Sequence, residues 1–150
     1  MRQEVRDHKG QIIQRKTEVA YPRGKKGQAE FSAVTLCKGP HRLIIHNDGH
    51  HKKRQAANIA HELSHELLIH PSKPLLNETG SRHYDANIEE EAAWLGPALL
   101  ISEEAALLVA ERKYSLTEAS DIYGASEEVV RMRLNVTSAY RRSRSKQQAA

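Results

Sequence analysis

The sequence is poor in several features that would restrict what the protein can be. It has one cysteine, Cys37, so it cannot form an intrachain disulfide, which is typical of a reducing cytosol. It has no apolar run near the roughly 18 residues that cross a bilayer, and its first ten residues, MRQEVRDHKG, lack the apolar centre of a secretory signal. Aromatic residues, which stack on bases, make up only 5% of the chain. These absences predict a cytoplasmic protein that does not enter a membrane and does not bind nucleic acid directly.

The length and charge of the chain indicate one domain of ordinary size. Hydrophobic residues make up 39% of the 150 residues, which suffices for a modest core. Part of the net charge of +4 lies in the C-terminal run RRSRSKQQAA, where solvated charges explain it without a nucleic-acid partner. We expect a domain over residues 30–137, a partly flexible segment over residues 1–29 and a basic, disordered tail over residues 138–150.

The order of apolar patterns predicts an α+β fold in which a small sheet precedes the helices. The runs AEFSAVTLC (29–37) and RLIIHN (42–47) are rich in β-branched and large apolar residues, and their short connection favours an antiparallel hairpin. From about Arg54, apolar residues recur every three or four positions, which predicts a helix that Pro71 stops.

A second helix is expected to begin near Asp85 or Asn87, where acidic residues suit the positive end of a helix. Pro97 should kink this helix, because proline has no N–H group to donate. Further on, a pair of short helices joined at Gly124 is expected, since Ser115 and Glu118 form a capping-box pattern. Ser126 is the expected cap of the second helix of the pair.

The stretch NIAHELSHELLIH contains His61, Glu62 and His65 in the order His-Glu-x-x-His. Two histidines four positions apart on a helix lie on one face, so their rings can converge on a zinc ion. Glu62 would then lie beside a zinc-activated water and act as the general base of peptide hydrolysis. Composition alone would produce this pattern by accident about once in twenty such chains. The surrounding helix with its apolar face of small residues favours the metal site over the accident.

A metal site of this kind needs a third ligand. One zinc-protease pattern requires glycine at position 68 and histidine at position 71, but this chain has Leu68 and Pro71, and His70 lies on another side of the helix. A carboxylate from the second helix is therefore the remaining source.

Three consecutive glutamates, Glu89, Glu90 and Glu91, are candidates for that ligand. Glu89 shares its helix face with small residues that would allow two helices to approach closely: Ala92, Ala93 and Gly96. We interpret Glu90 and Glu91 as charges that stabilise the start of the helix, and the same explanation remains open for Glu89.

As a set, the blocks FSAVTL, RLIIHN, RQAANIAHELSHELLIH and EEEAAWLGPALLIS resemble the ImmA/IrrE family of metallo-endopeptidases over about residues 30–137. The resemblance implies a zincin-like single domain in which His61, His65 and Glu89 bind Zn²⁺ and Glu62 is catalytic. Manganese or another divalent ion remains open as the natural metal. Many members of the family cleave helix-turn-helix repressors after DNA damage or in mobile elements, so such a repressor is the implied substrate. The chain departs from the family pattern at Ser102, where proline is usual, and at Pro97 inside the helix.

Substrate contacts can be assigned only broadly from the sequence. An edge of the FSAVTL or RLIIHN strand is a candidate for binding an extended substrate, and core packing explains these strands equally well. His83 and Tyr84, in the loop before the second helix, are candidates for hydrogen bonds to the oxyanion. Ordinary polarity of an exposed loop is the interpretation that we favour for both.

Two alternatives to the enzyme remain. The C-terminal helix pair, with Arg131 and Arg133 on its second helix, resembles a DNA-binding helix-turn-helix. Glu127 and Glu128 at the start of that helix argue against it, because they would repel phosphates. The other alternative is a non-catalytic module that binds metal and docks a repressor. The sequence leaves the oligomeric state open.

Overall fold

Two short strands and six helices make up the part of the chain that the structure, a computed structural model, describes: residues 31–38, 41–71 and 85–148. In chain order they are β1 (Ala33–Lys38), β2 (His41–His46), α1 (Lys52–Leu67), α2 (Ala86–Leu100), α3 (Glu103–Arg112), α4 (Leu116–Tyr123), α5 (Glu127–Val136) and α6 (Ala139–Gln148). The prediction of an α+β fold with a small sheet before the helices is confirmed. The segment expected to be flexible, residues 1–29, lies outside the described residues.

The two strands form an antiparallel hairpin, as predicted. Their register runs from the pair Ala33 and His46 to the pair Lys38 and His41. The side chain of Asn47, directly after β2, donates to the carbonyl of Phe31 at 2.9 Å and so holds the open end of the hairpin together.

Helix α1 packs against this hairpin and ends at Leu67 with Leu68 as its C-cap, three residues before the Pro71 that was predicted to stop it. The helix ends in a Schellman-type turn, in which the His70 N–H donates to the carbonyl of His65 at 2.9 Å. Ile69 occupies the left-handed position of the turn, with φ 55°, where glycine is usual. The turn carries the chain back toward the last part of the helix, and this determines where His70 lies.

Helices α1 and α2 approach each other closely because their facing residues are small. Ala92 is fully buried, Ala60 is nearly so, and Gly96 is buried between the helices. A Cβ atom added to Gly96 would lie only 3.3 Å from the backbone nitrogen of His61. The expected face of small residues on α2 therefore sets the distance between the two helices beside His61.

The C-terminal part of the described chain contains four helices, α3 to α6, where the sequence predicted a pair. Its buried residues form one apolar cluster: Ile101, Ala106, Val109, Ala110, Ala119, Ala125, Val130, Leu134 and Ala139. Within the described ranges no single helix is long and apolar enough to cross a membrane, although α2 and α3 taken together, bent by 49°, meet that test of length and composition.

The predicted caps of the helix pair are confirmed. The Glu118 N–H donates to the Ser115 hydroxyl at 3.2 Å, and the Ser115 N–H donates to the Glu118 carboxylate at 2.8 Å, which is a capping box. Gly124 ends α4 with φ 63°, a left-handed conformation that glycine adopts at little cost. Ser126 accepts a hydrogen bond from the amide of Val129 and caps α5.

The structure differs from the expectation of a disordered tail, because Ala139–Gln148 forms helix α6. Ala139 and Ser143, four positions apart, are both buried on one face of this helix. Its basic residues find acidic partners on α3: Arg142 bonds to Glu103 at 2.6 Å, and Lys146 to Glu111 at 2.7 Å. These contacts join residues more than 30 positions apart, so the tail's own composition does not reveal them.

Candidate metal centre

Helix α1 places His61 and His65 one turn apart, with their rings directed toward α2. Their Nε2 atoms lie 3.1 Å from each other. Glu89 reaches this point from the first turn of α2, and its Oε2 lies 3.1 Å from the Nε2 of His61 and 3.7 Å from that of His65. The structure thus brings together the three side chains that the sequence suggested as ligands, and each offers one donor atom to the same point.

These distances suit a small tetrahedral ion. Zinc holds nitrogen and oxygen ligands at about 2.0–2.1 Å, which places two ligand atoms about 3.3 Å apart at a tetrahedral angle. The three separations in the structure, 3.1, 3.1 and 3.7 Å, lie around that value. Two imidazoles and one carboxylate are also a donor set that zinc accepts, so the residues fit the ion in chemistry and in spacing.

The electrostatic surroundings favour the neutral imidazole that a metal requires. Burial lowers the pKa of His65, and the neighbouring charge of Glu89 opposes this shift only in part. The lowered pKa favours the neutral ring of His65, in which one nitrogen atom has a free lone pair.

Glu62, the residue after the first histidine, is directed toward the hairpin. The hydroxyl of Thr35 on β1 donates to Glu62 Oε2 at 2.7 Å. The sheet therefore holds this half-buried carboxylate in one orientation beside the two histidines. Because Thr35 lies 27 positions away, this partner of Glu62 could not be inferred from the motif.

The structure gives the three consecutive glutamates of α2 different surroundings. Glu89 joins the two histidines, while Glu90 is exposed, in keeping with a charge at the start of a helix. Glu91 differs from that expectation, because its Oε2 lies 3.0 Å from the Nε2 of His70. The Nδ1 of His70 in turn lies 2.9 Å from the Nδ1 of His65. Sequence reasoning rejected His70 as a ligand and interpreted Glu91 as a helix-start charge, so it missed the contacts that these two side chains make.

A cavity of about 250 Å³ lies on the α1–α2 groove beside His61. Its walls are mostly small or apolar: Ala57, Asn58, His61, Ala93, Gly96, Pro97, Leu100 and Val129. Pro97, which lies within an α-helix that continues to Leu100, forms part of this wall. Such walls favour an apolar group over a charged one.

The remaining sequence candidates either fall outside the described residues or belong to the C-terminal helix pair. His83 and Tyr84 fall outside the described residues. Arg133, which the DNA-binding interpretation needed on a surface, is only 8% exposed and donates to the carbonyl of Ile101 at 2.8 Å. Glu127 accepts a hydrogen bond from Thr117 at 2.7 Å near the start of α5. Arg133 therefore takes part in the packing of the helix pair. It does not support the DNA-binding interpretation, which relied on Arg131 and Arg133.

Taken together, the His-Glu-x-x-His helix, the glutamate of a second helix and the oriented Glu62 are the features of a metal-dependent hydrolase. The family model of the IrrE N-terminal-like domain, a peptidase family, matches residues 14–135. Because this match covers most of the sequence, the chain belongs to that family, as the resemblance to ImmA/IrrE proteins predicted. No curated protein and no solved structure matches the chain.

Proposed function

We propose that this protein is a zinc-dependent metallo-endopeptidase in which His61, His65 and Glu89 hold the ion. The observation that carries the proposal is the convergence of three donor atoms, each within 4.8 Å of the others, in a chain of a peptidase family. When bound there, zinc would lower the pKa of a water molecule and polarise the peptide carbonyl.

Glu62 is the residue that we assign to proton transfer. Its Oε2 is held by the hydroxyl of Thr35, so Oε1 is the atom that we expect to take the proton of the attacking water. The same carboxyl group would then deliver the proton to the amine of the leaving peptide. A carboxylate fixed in orientation before the reaction loses little entropy when the water attacks.

The substrate that we propose is a protein segment bound in an extended conformation, in a domain of the zincin type. An outer edge of the hairpin would pair with the segment, and the cavity beside His61 would receive an apolar side chain. A helix-turn-helix repressor is the proposed substrate protein, on the basis of the resemblance to ImmA/IrrE proteins, and the cytosol is the compartment where the two would meet. Manganese is the alternative ion, since two histidines and a carboxylate accept several divalent metals.

The test compares the parent protein with Glu62→Gln. Both are purified without a tag, their zinc content is measured by mass spectrometry, and each is incubated with purified helix-turn-helix repressors from the same genome. We expect about one zinc per chain in both proteins. New N-termini should form about 10²–10⁴-fold more slowly with Glu62→Gln, because a general base contributes about that factor.

Glu90→Gln is the matched control, since it makes the same change at an exposed position of α2. It should retain both the zinc and the cleavage rate. A parent protein without zinc would contradict the metal site. A parent that holds zinc, binds a repressor and cleaves nothing would instead support the non-catalytic docking module.

A further inference from the structure

We propose that His70 and Glu91 form a hydrogen-bonded relay that fixes which nitrogen of His65 carries the proton, and thereby keeps His65 ready to bind metal. The relay rests on the proposed metal site and adds two positioning residues to it. It runs from Glu91 Oε2 to His70 Nε2 at 3.0 Å, and from His70 Nδ1 to His65 Nδ1 at 2.9 Å. The free end of the relay is the Nε2 of His65, the atom that faces His61 and Glu89.

The direction of each hydrogen bond follows from the carboxylate at the outer end of the relay. A carboxylate accepts hydrogen bonds and donates none, so the Nε2 of His70 must carry a proton. With its proton on Nε2, the ring of His70 offers Nδ1 as the acceptor, and the proton between the two rings belongs to the Nδ1 of His65. This leaves the lone pair of His65 on Nε2, which is the form that a metal needs.

The fold explains how His70 reaches this position. Because Ile69 is left-handed, the chain turns back after α1, and the His70 ring lies with its centroid 5.1 Å from that of His65. The side chain of His70 is only 9% exposed, whereas that of Glu91 is 62% exposed. The link between the two histidines is therefore shielded from water, which strengthens it and holds the ring of His65 in place.

His70 does not have the position of a fourth ligand. It contacts the Nδ1 of His65, and the two nitrogen atoms of an imidazole point in diverging directions. His70 therefore lies behind His65 as seen from the converging donor atoms. A residue in this position affects the metal only through His65, and loss of such an outer partner typically weakens metal binding about 10–100-fold.

The test measures zinc affinity by competition with a chelator for the parent protein and for His70→Phe, His70→Asn and Glu91→Ala. His70→Phe keeps a ring of similar size but removes the acceptor, so its affinity should fall about 10–100-fold. His70→Asn offers a carbonyl oxygen near the position of Nδ1 and should restore most of the affinity. The zinc affinity of Glu91→Ala should lie between those of His70→Phe and His70→Asn, because this variant leaves His70 free to adopt either tautomer.

The controls are His41→Phe and Glu90→Ala, which make matched changes at exposed positions and should bind zinc as the parent does. Imidazole ¹⁵N shifts of the metal-free proteins at neutral pH give a second measurement. The proton of His65 should lie on Nδ1 in the parent and be shared between both nitrogens in Glu91→Ala. A purely structural role of His70 would not produce this change.

The outcomes separate the relay from the proposed function. If the parent binds zinc and a folded His70→Phe binds it equally well, the relay is wrong and the metal site stands. The relay is also wrong if His70→Asn loses as much affinity as His70→Phe while circular dichroism shows both to be folded. If the parent and every variant fail to bind zinc, the proposed metal site is itself refuted.

Discussion

The two parts of the described chain differ in the size of the apolar side chains that they bury. In the C-terminal part, the cluster enclosed by α3 to α6 contains larger branched side chains beside its alanines, including Val109 and Val130, both at 0% exposure. Around the metal centre, the buried apolar residues of the hairpin, α1 and α2 are alanines: Ala33, Ala60 and Ala92. Among the described residues, each part also buries three polar ones: Asn47, Gln55 and Ser64 around the metal centre, and Ser120, Arg133 and Ser143 in the C-terminal part.

This difference indicates that the C-terminal part mainly stabilises the fold, whereas the small residues around the metal centre mainly position its ligands. Burying a valine, leucine or isoleucine contributes about 1.5–3 kcal/mol, and an alanine contributes much less. The small residues of α1 and α2 contribute close contact instead, which lets the Glu89 side chain reach the two histidines. Arg133 joins the two parts, because it donates from α5 to the carbonyl of Ile101 at the end of α2.

The largest effect on stability is expected from Leu134→Ala in the C-terminal cluster. Leu134 is 2% exposed, and its truncation should leave a cavity that lowers the free energy of unfolding by about 2–5 kcal/mol. Urea denaturation of the metal-free protein measures this loss, while the zinc affinity of the folded protein should stay unchanged. Val136→Ala, on the same helix but 48% exposed, is the control. A loss of zinc affinity in folded Leu134→Ala would show that packing of the C-terminal cluster also affects the metal site, which contradicts the proposed division.

An intermediate effect on stability is expected from Gly96→Val, which should weaken zinc binding, unlike Leu134→Ala. Its Cβ would lie 3.3 Å from the His61 backbone nitrogen, and the added methyl groups would press α2 away from α1. Such overpacking costs about 1–3 kcal/mol, and the displacement moves Glu89 relative to the two histidines. Zinc affinity should therefore fall about tenfold or more at a modest loss of stability. Leu99→Val adds the same β-branching at an exposed position of α2 and should leave zinc binding intact.

The parts of the site that could be predicted from the sequence are those that depend on neighbours along the chain. The spacing of His61 and His65 determines their common helix face, and the small residues near Glu89 distinguish it from the next two glutamates. Gly124 and the capping box are equally local. Each of these features needs only the periodicity of a helix or the geometry of its ends.

The parts that could not be predicted depend on how distant segments meet. On a continued helix His70 would lie away from the face of His65. The helix instead ends at Leu67, and the left-handed turn at Ile69, where glycine is the usual signal, brings His70 back toward His65. Glu91 reaches His70 because α2 packs on α1, which no feature of its own helix reveals. In the sequence, the nearest indication of a role for His70 was that it is a third histidine shortly after the His-Glu-x-x-His motif.

The smallest effect is expected at the capping box of α4, and it tests whether local caps add to the stability of the C-terminal part. The Ser115 amide and hydroxyl hold the pKa of Glu118 below its ordinary value of 4.5. A carboxyl whose pKa is lower in the folded state stabilises the fold above its unfolded pKa, and this contribution is lost as the pH falls through the folded value. Ser115→Ala should cost about 1 kcal/mol at neutral pH, because the cap hydroxyl is lost. The Ser115 amide remains, so only the hydroxyl's share of the pKa shift of Glu118 is removed, and the difference from the parent should shrink slightly below pH 4.5. Urea denaturation across this pH range measures it, with Ser145→Ala as the exposed control. A difference that stays constant with pH would assign the loss to the hydroxyl cap alone, without the carboxylate of Glu118.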